Sequence, residues 1–289
     1  MQTVIDGLEL SASGAICRIV RLRNEGYDFV DDVERLCNSI TASHLRADLF
    51  TFAQRIAEPE PKHAYYQEWD TQAVLPIDSY DQWWKRQIND KIRNRARKAG
   101  KMGVVVKTVP LDDDLVRGIK TIYDETPIRQ GKRFKHYGKD LETLRLSHAT
   151  YLEQSEFIGA FLDDRLIGFI KLVHQNGWSN LMQILSLISE RDKAPTNALI
   201  AKAVEICAEK RIPRLQYGVW SRRSIGEFKI RHGFQPCKVP RYYVPLTATG
   251  KMALAIGLHR SLMSRVPGDW LDRAANLRAK LNARVTEAA

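Results

Sequence analysis

Seven side chains able to move protons or grip anions fall within 14 residues: Asp124, Glu125, Arg129, Gln130, Arg133, His136 and Tyr137. His136 has an ordinary pKa of about 6.5, which suits base work. Tyr137 can donate a proton, and Glu125 can act as a base or as an ion-pair partner at a helix end. Arg129 and Arg133 can hold a carboxylate or phosphate through paired hydrogen bonds. The competing reading is an exposed basic loop whose aromatic pair anchors it to the core. Further on, Arg191 and Lys193 precede Pro195 at a helix start, where the dipole attracts anions. Trp220, Ser221 and Ser224 follow Tyr217-Gly218-Val219, a strand end of the kind where α/β sheets bind ligands, although the serines serve equally well as helix caps. The chain lacks the G-x-S-x-G of an activated serine. Cys17, Cys37, Cys207 and Cys237 are too scattered for a zinc ribbon or disulfide framework. No metal is expected.

These groups must be carried by alternating strands and helices. The N-terminal part predicts a strand over 15–22, helices over 28–36 and 43–57, a break at Glu58-Pro59-Glu60-Pro61 and a strand over 65–75. Asp78 and Ser79 can cap a helix over 80–99, with Trp84, Ile88, Ile92, Ala96 and Ala99 on one face. A strand over 104–109 and a helix over 112–125 lead to the polar loop 128–139. A helix over 141–152 precedes a hairpin, 157–162 and 166–173, turned by Asp163-Asp164-Arg165. Then come a strand over 181–188, a helix from Pro195 to 210, a strand over 214–219, a short helix ended by Gly233 and a strand over 239–246. Two helices are predicted over 249–285. The order predicts a mixed sheet with helices on both faces.

The chain has 289 residues, 44% apolar and 27% charged, which excludes a wholly disordered protein. No apolar run reaches the ~20 residues of a membrane span, and the first residues lack a signal-peptide pattern. Reduced thiols and a cytoplasmic location are the expectation. The net charge is +11, and it is clustered: residues 79–101 hold eight basic and two acidic residues. Such clusters predict an anionic partner, whether nucleic acid, a phosphorylated cofactor or a membrane surface. Membrane contact through the basic amphipathic C-terminal helices is the lesser expectation.

Residues 104–246 resemble the GNAT N-acyltransferase fold. The hairpin over 159–173 looks like its second and third strands. Residues 181–189 look like the central fourth strand, 195–210 like the following helix, and 215–219 like the fifth strand. Glu227-Phe228-Lys229-Ile230-Arg231-His232-Gly233-Phe234 is similar to the domain's close. The basic helix and strand over 83–106 are similar to the lead-in of the FemAB-like branch. That branch often pairs two such halves, so residues 1–76 are expected to form a degenerate half, 77–246 the transferase domain and 247–289 a helical extension.

The resemblance implies direct transfer of an acyl group from acyl-CoA to a primary amine on a small molecule or peptide. It implies free backbone N–H groups around Leu185–Ser189, at a splay between the fourth and fifth strands, that hold the acyl carbonyl oxygen. Acyl-CoA would meet Leu187, Ser189, Arg191, Lys193, Thr196, Asn197, Trp220, Ser221 and Ser224. The acceptor would meet Arg129, Gln130, Arg133 and Ser186, with Glu125, His136 and Tyr137 in catalysis. Two departures stand out. Arg191-Asp192-Lys193-Ala194-Pro195-Thr196 replaces the family's glycine-bearing pyrophosphate loop, and Lys229 stands where many members place a general-acid tyrosine. The alternatives are an aminoacyl-tRNA-dependent transferase and a non-catalytic module that binds nucleic acid or another polyanion.

Overall fold

The computed structural model describes residues 2–58, 60–221 and 223–260. In chain order the elements are β1 (Gln2–Ile5), β2 (Leu8–Ser13), β3 (Ile19–Leu22), α1 (Val33–Ala42), β4 (Leu49–Ala53), β5 (Tyr66–Pro76), α2 (Tyr80–Gln82), α3 (Asp90–Lys101), β6 (Val105–Val109) and α4 (Asp113–Tyr123). There follow β7 (Ile128–Arg129), β8 (Lys132–Arg133), α5 (Leu141–Ala149), β9 (Ser155–Leu162), β10 (Arg165–Gln175), β11 (Trp178–Ser186), α6 (Pro195–Glu209), β12 (Arg214–Val219), α7 (Arg223–Arg231), β13 (Gln235–Pro245) and α8 (Ala248–Ala255). Among the described residues no helix is long and apolar enough to cross a membrane. They form two compact units, residues 2–71 with 237–260, and residues 72–236.

In the first unit β1, β2 and β3 form an antiparallel meander. The helix α1 then carries the chain to β4, which pairs parallel to β3, and β13 runs antiparallel to β4. Asp32 caps α1 by accepting the Arg35 N–H. Leu10, Val20, Leu36, Ile40, Phe50 and Tyr242 form the core. The predicted strand over 15–22 shortens to Ile19–Leu22 because Gly14, at φ 103°, turns the chain late. The predicted helix over 28–36 begins instead at the Asp32 cap. The helix predicted over 43–57 is a correction: its middle is β4. Phe50 and Phe52 point the same way, two residues apart, and stack at 5.5 Å, as strand periodicity requires.

The second unit holds the sheet order β5 (residues 72–76), β12, β11, β10, β9, β6, with β11 and β12 parallel and the other pairs antiparallel. Asp163 and Asp164 both take positive φ, 48° and 61°, the geometry of a type I′ hairpin turn. Helices cover both faces: α6 packs on β10 with α3 beside it, and α4 packs on β10 with α5 beside it. The single helix predicted over 80–99 is also a correction. After α2 a π turn spans Trp83–Gln87, Ile88 is extended, and Asn89 restarts the helix by accepting the Ile92 N–H. Arg93 donates to the freed carbonyls of Trp84 and Ile88, at 2.7 and 2.6 Å. The extra residue rotates the face, so Trp83 rather than Trp84 enters the core. Of the helices predicted over 249–285, α8 covers the start, and residues beyond 260 lie outside the described residues.

Candidate functional site

β11 and β12 pair at only two positions, Ser179↔Leu215 and Asn180↔Gln216. Beyond them β11 runs on to Ser186 beside β10, while β12 turns at Gly218, φ 56°, and leaves the ladder. The gap opens into a cavity of about 780 Å³ lined by Ile184, Leu185, Ser186, Leu187 and Ile188 from β11 and its continuation, and by Tyr217 from β12. Leu187 donates its N–H to Ile167 O at 2.9 Å, across β10. By strand alternation the N–H groups of Ser186 and Ile184 face the other edge, the one β12 has left.

Arg129 and Glu125 brace this strand end. Arg129 donates to Ser186 O at 3.1 Å, to Ile122 O at 2.7 Å and to Glu125 at 2.9 Å, and its guanidinium lies over the Phe134 ring. The Glu125 carboxylate accepts from the Ile188 and Ser189 N–H groups at 2.7 and 2.9 Å. Burial raises the Glu125 carboxyl, but those backbone donors and Arg129 outweigh it and hold it below the usual range. Glu125 is therefore ionised and engaged on both oxygens. Next to the brace, Gln130 adopts φ 53° and lines the cavity.

The far wall is the start of α6. Ala194, at φ 55°, precedes Pro195, and α6 has no side-chain cap. Ala194, Pro195, Thr196 and Asn197 line the cavity together with Arg191. Thr196 and Ser186 hydroxyls meet at 2.9 Å. Asn197 contacts His232 Nε2 at 3.0 Å, His232 Nδ1 contacts Phe228 O at 2.7 Å, and the Trp83 indole donates to His232 O at 2.9 Å. Burial holds His232 down to about 4, so it is neutral. Arg95 and Lys98, one helical turn apart on α3, complete the basic rim.

Lys229, 3% exposed, donates to Val219 O at 2.7 Å and lies 4.6 Å from the Tyr217 ring centre. Burial lowers it to about 8. Of the residues singled out from sequence, Arg129, Gln130, Ser186, Leu187, Arg191, Thr196, Asn197 and Ser224 meet around the cavity, with Glu125 and Ser189 in its bracing turn. His136 does not line it. Its ring packs against Tyr123 and Phe134, and burial, with help from Lys139 and Lys135, pushes it down to about 4. Tyr137 and Arg133 are exposed elsewhere, and Lys193 is tied to Glu190 at 2.7 Å. Trp220 packs against the core, and Ser221 donates to Val219 O. Arg95, Lys98, Tyr217 and Phe228 line the cavity without having been singled out; the Phe228-Lys229 pair was the signal available.

No protein-family model and no curated protein matches the sequence. Solved structures match the fold. The C-terminal domain of a lysylphosphatidylglycerol synthetase from Agrobacterium fabrum is 12% identical, with 88% of this chain and 86% of that chain covered and a TM-score of 0.55. FemX is 11% identical over 86% of each chain, with a TM-score of 0.57. L-PGS from Bacillus licheniformis is 12% identical over 82% of this chain and 81% of its own, with a TM-score of 0.55. The chain has the GNAT-like fold of these structures.

Proposed function

We propose that the protein is an N-acyltransferase that moves an activated acyl group directly to a primary amine where β11 and β12 part. The parting beyond Asn180 and Gln216 is the observation that carries this reading. There the Ser186 and Ile184 N–H groups polarise the acyl carbonyl as the tetrahedral state forms. The amine nitrogen attacks the acyl carbon, the bond to the leaving thiol or hydroxyl breaks, and the amine's proton passes to solvent or to the leaving group. Arg129 holds the strand end in place, and Lys229 sets a positive charge behind the wall where negative charge develops.

Acyl-CoA is the first donor reading. Arg95, Lys98 and Arg191 at the rim suit its phosphates, and Ile184, Leu185 and Leu187 suit an acyl chain. One observation favours a second reading, an aminoacyl-tRNA donor. The Ile188 and Ser189 N–H groups are taken by Glu125, and Pro195 has no N–H, so anion grip falls to side chains. Calorimetric titration with acetyl-CoA, a long-chain acyl-CoA and tRNA tests both. One saturable site for either CoA ester, competed by rim substitutions, supports the first. No CoA binding at ~1 mM with salt-sensitive tRNA binding supports the second. Polyanion binding with no turnover on any amine would sink the transferase reading altogether.

A further inference from the structure

A second cavity, of about 440 Å³, lies in the first unit, lined by the turn between β2 and β3, the loop between α1 and β4, and the start of α8. Its basic side chains are Arg18, His44 and Arg46. Its carboxylate, Asp48, is already engaged: one oxygen accepts the Arg18 backbone N–H at 2.8 Å and the other the Thr247 hydroxyl at 2.8 Å. Among the described residues no carboxylate pairs with Arg18, His44 or Arg46. The Nε–H of Arg18 is buried and has no acceptor. Buried donors are normally satisfied, so this unmatched N–H shows that the chain itself supplies no anion to Arg18, a residue that lines the cavity.

The cavity floor is rigid. Asp48 N–H donates to Arg18 O, and Leu246 N–H donates to Asp48 O, both at 2.8 Å. The backbones that carry Arg18 and Asp48 are thus stitched together before a ligand arrives, which limits the ordering that binding requires. Two guanidinium groups and an imidazole, with the lone carboxylate occupied, match a phosphate better than a singly charged carboxylate.

We propose that this cavity binds a phosphate group, with Arg18 and Arg46 as its guanidinium ligands. This goes beyond acyl transfer and does not depend on it. The phosphate belongs to a soluble ester or to a phospholipid headgroup. Ile16, lining the same cavity and 82% exposed, is the residue that a bilayer engages and a soluble ester does not.

The test uses the full chain carrying R95Q and K98Q, so that the second unit's basic rim does not contribute. The nitrogen-15-labelled protein is titrated with inorganic phosphate and then glycerol phosphate at constant ionic strength. In a separate arm it is sedimented with vesicles of phosphatidylglycerol in phosphatidylcholine. For a soluble ligand, the Arg18 Nε–H signal shifts saturably with a Kd on the order of 1 mM or below. R18Q and R46Q each weaken that binding ~10-fold, and I16S leaves it unchanged. For a headgroup, vesicles bind where soluble phosphates do not, and R18Q, R46Q and I16S all reduce the bound fraction. Binding of neither probe overturns the proposal, as does binding that survives R46Q unchanged. Arg46 is exposed, so that variant keeps the fold even where R18Q does not.

Discussion

Each unit contains a parallel strand pair joined by a helix, and only one of the two pairs is closed. In the first unit β3 and β4 stay paired through Ile19↔Leu49, Val20↔Phe50 and Arg21↔Thr51. In the second, β11 and β12 part after two pairs. The helices differ in the same sense. Asp32 fills the N-terminus of α1, whereas α6 starts at Ala194 without a side-chain cap and lends its first residues to a cavity. A strand–helix–strand unit thus becomes a site when pairing stops early and the helix end is left to a ligand. The open version then needs bracing from elsewhere, here from Glu125 and Arg129.

The largest difference expected between the two units is in acid. His136, His148 and His232 all belong to the second unit, and burial pushes each down to about 4. A folded pKa below the unfolded value of about 6.5 means that the unfolded chain takes up protons first. Their contribution is complete above about pH 6.5 and is lost as pH falls toward 4. At about 1.4 kcal/mol per pKa unit, His148 and His232 together remove roughly 6 kcal/mol by pH 4, and the partly buried His136 adds a smaller, screened share. Tryptophan emission from Trp83 and Trp178, both buried in this unit, should report the change; native emission held at pH 4 contradicts the account.

Removing the brace comes next. R129A leaves Glu125 without its buried partner and should lower stability in urea by ~3 kcal/mol. R129K should not restore it, because one ammonium cannot span three acceptors. Equal stability of R129K and the parent chain would show that the fork geometry is irrelevant. At the rim, R95Q and K98Q should each weaken donor binding by roughly 5-fold and flatten its salt dependence, measured by calorimetry at two ionic strengths. The smallest effect belongs to the closed pair. D32A removes the α1 cap, costs about 1 kcal/mol and leaves donor binding unchanged. A binding defect in D32A would break the distinction between the units.

What could be read from sequence followed local chemistry. The hairpin of β9 and β10 was legible because two aspartates sit where the turn needs positive φ. The strand β4 was not, since Leu49-Phe50-Thr51-Phe52 is a short apolar run that fits a buried helix or strand equally well. Ser186, Thr196 and Asn197 were brought together only by the resemblance to the GNAT fold, which aligns them with one strand end and the helix that follows it. His136 looked reactive because an ordinary imidazole suits base work and Glu125, Arg129 and Tyr137 stand close to it in sequence. Its packing between Tyr123 and Phe134 depends on contacts with α4 that no local pattern encodes. Arg95 and Lys98 were hidden among eight cations over residues 79–101, where spacing alone does not say which face meets a cavity.

The bonds through His232 have a direction. Phe228 O can only accept, so His232 Nδ1 carries the proton and Nε2 is left to receive one. Asn197 must then turn its amide nitrogen toward the ring. Its carbonyl oxygen and its second N–H are what remain for other partners, in the cavity that Asn197 lines. One peptide carbonyl thereby settles, through an imidazole, which way round an amide sits in the wall: its nitrogen toward the ring and its oxygen away from it.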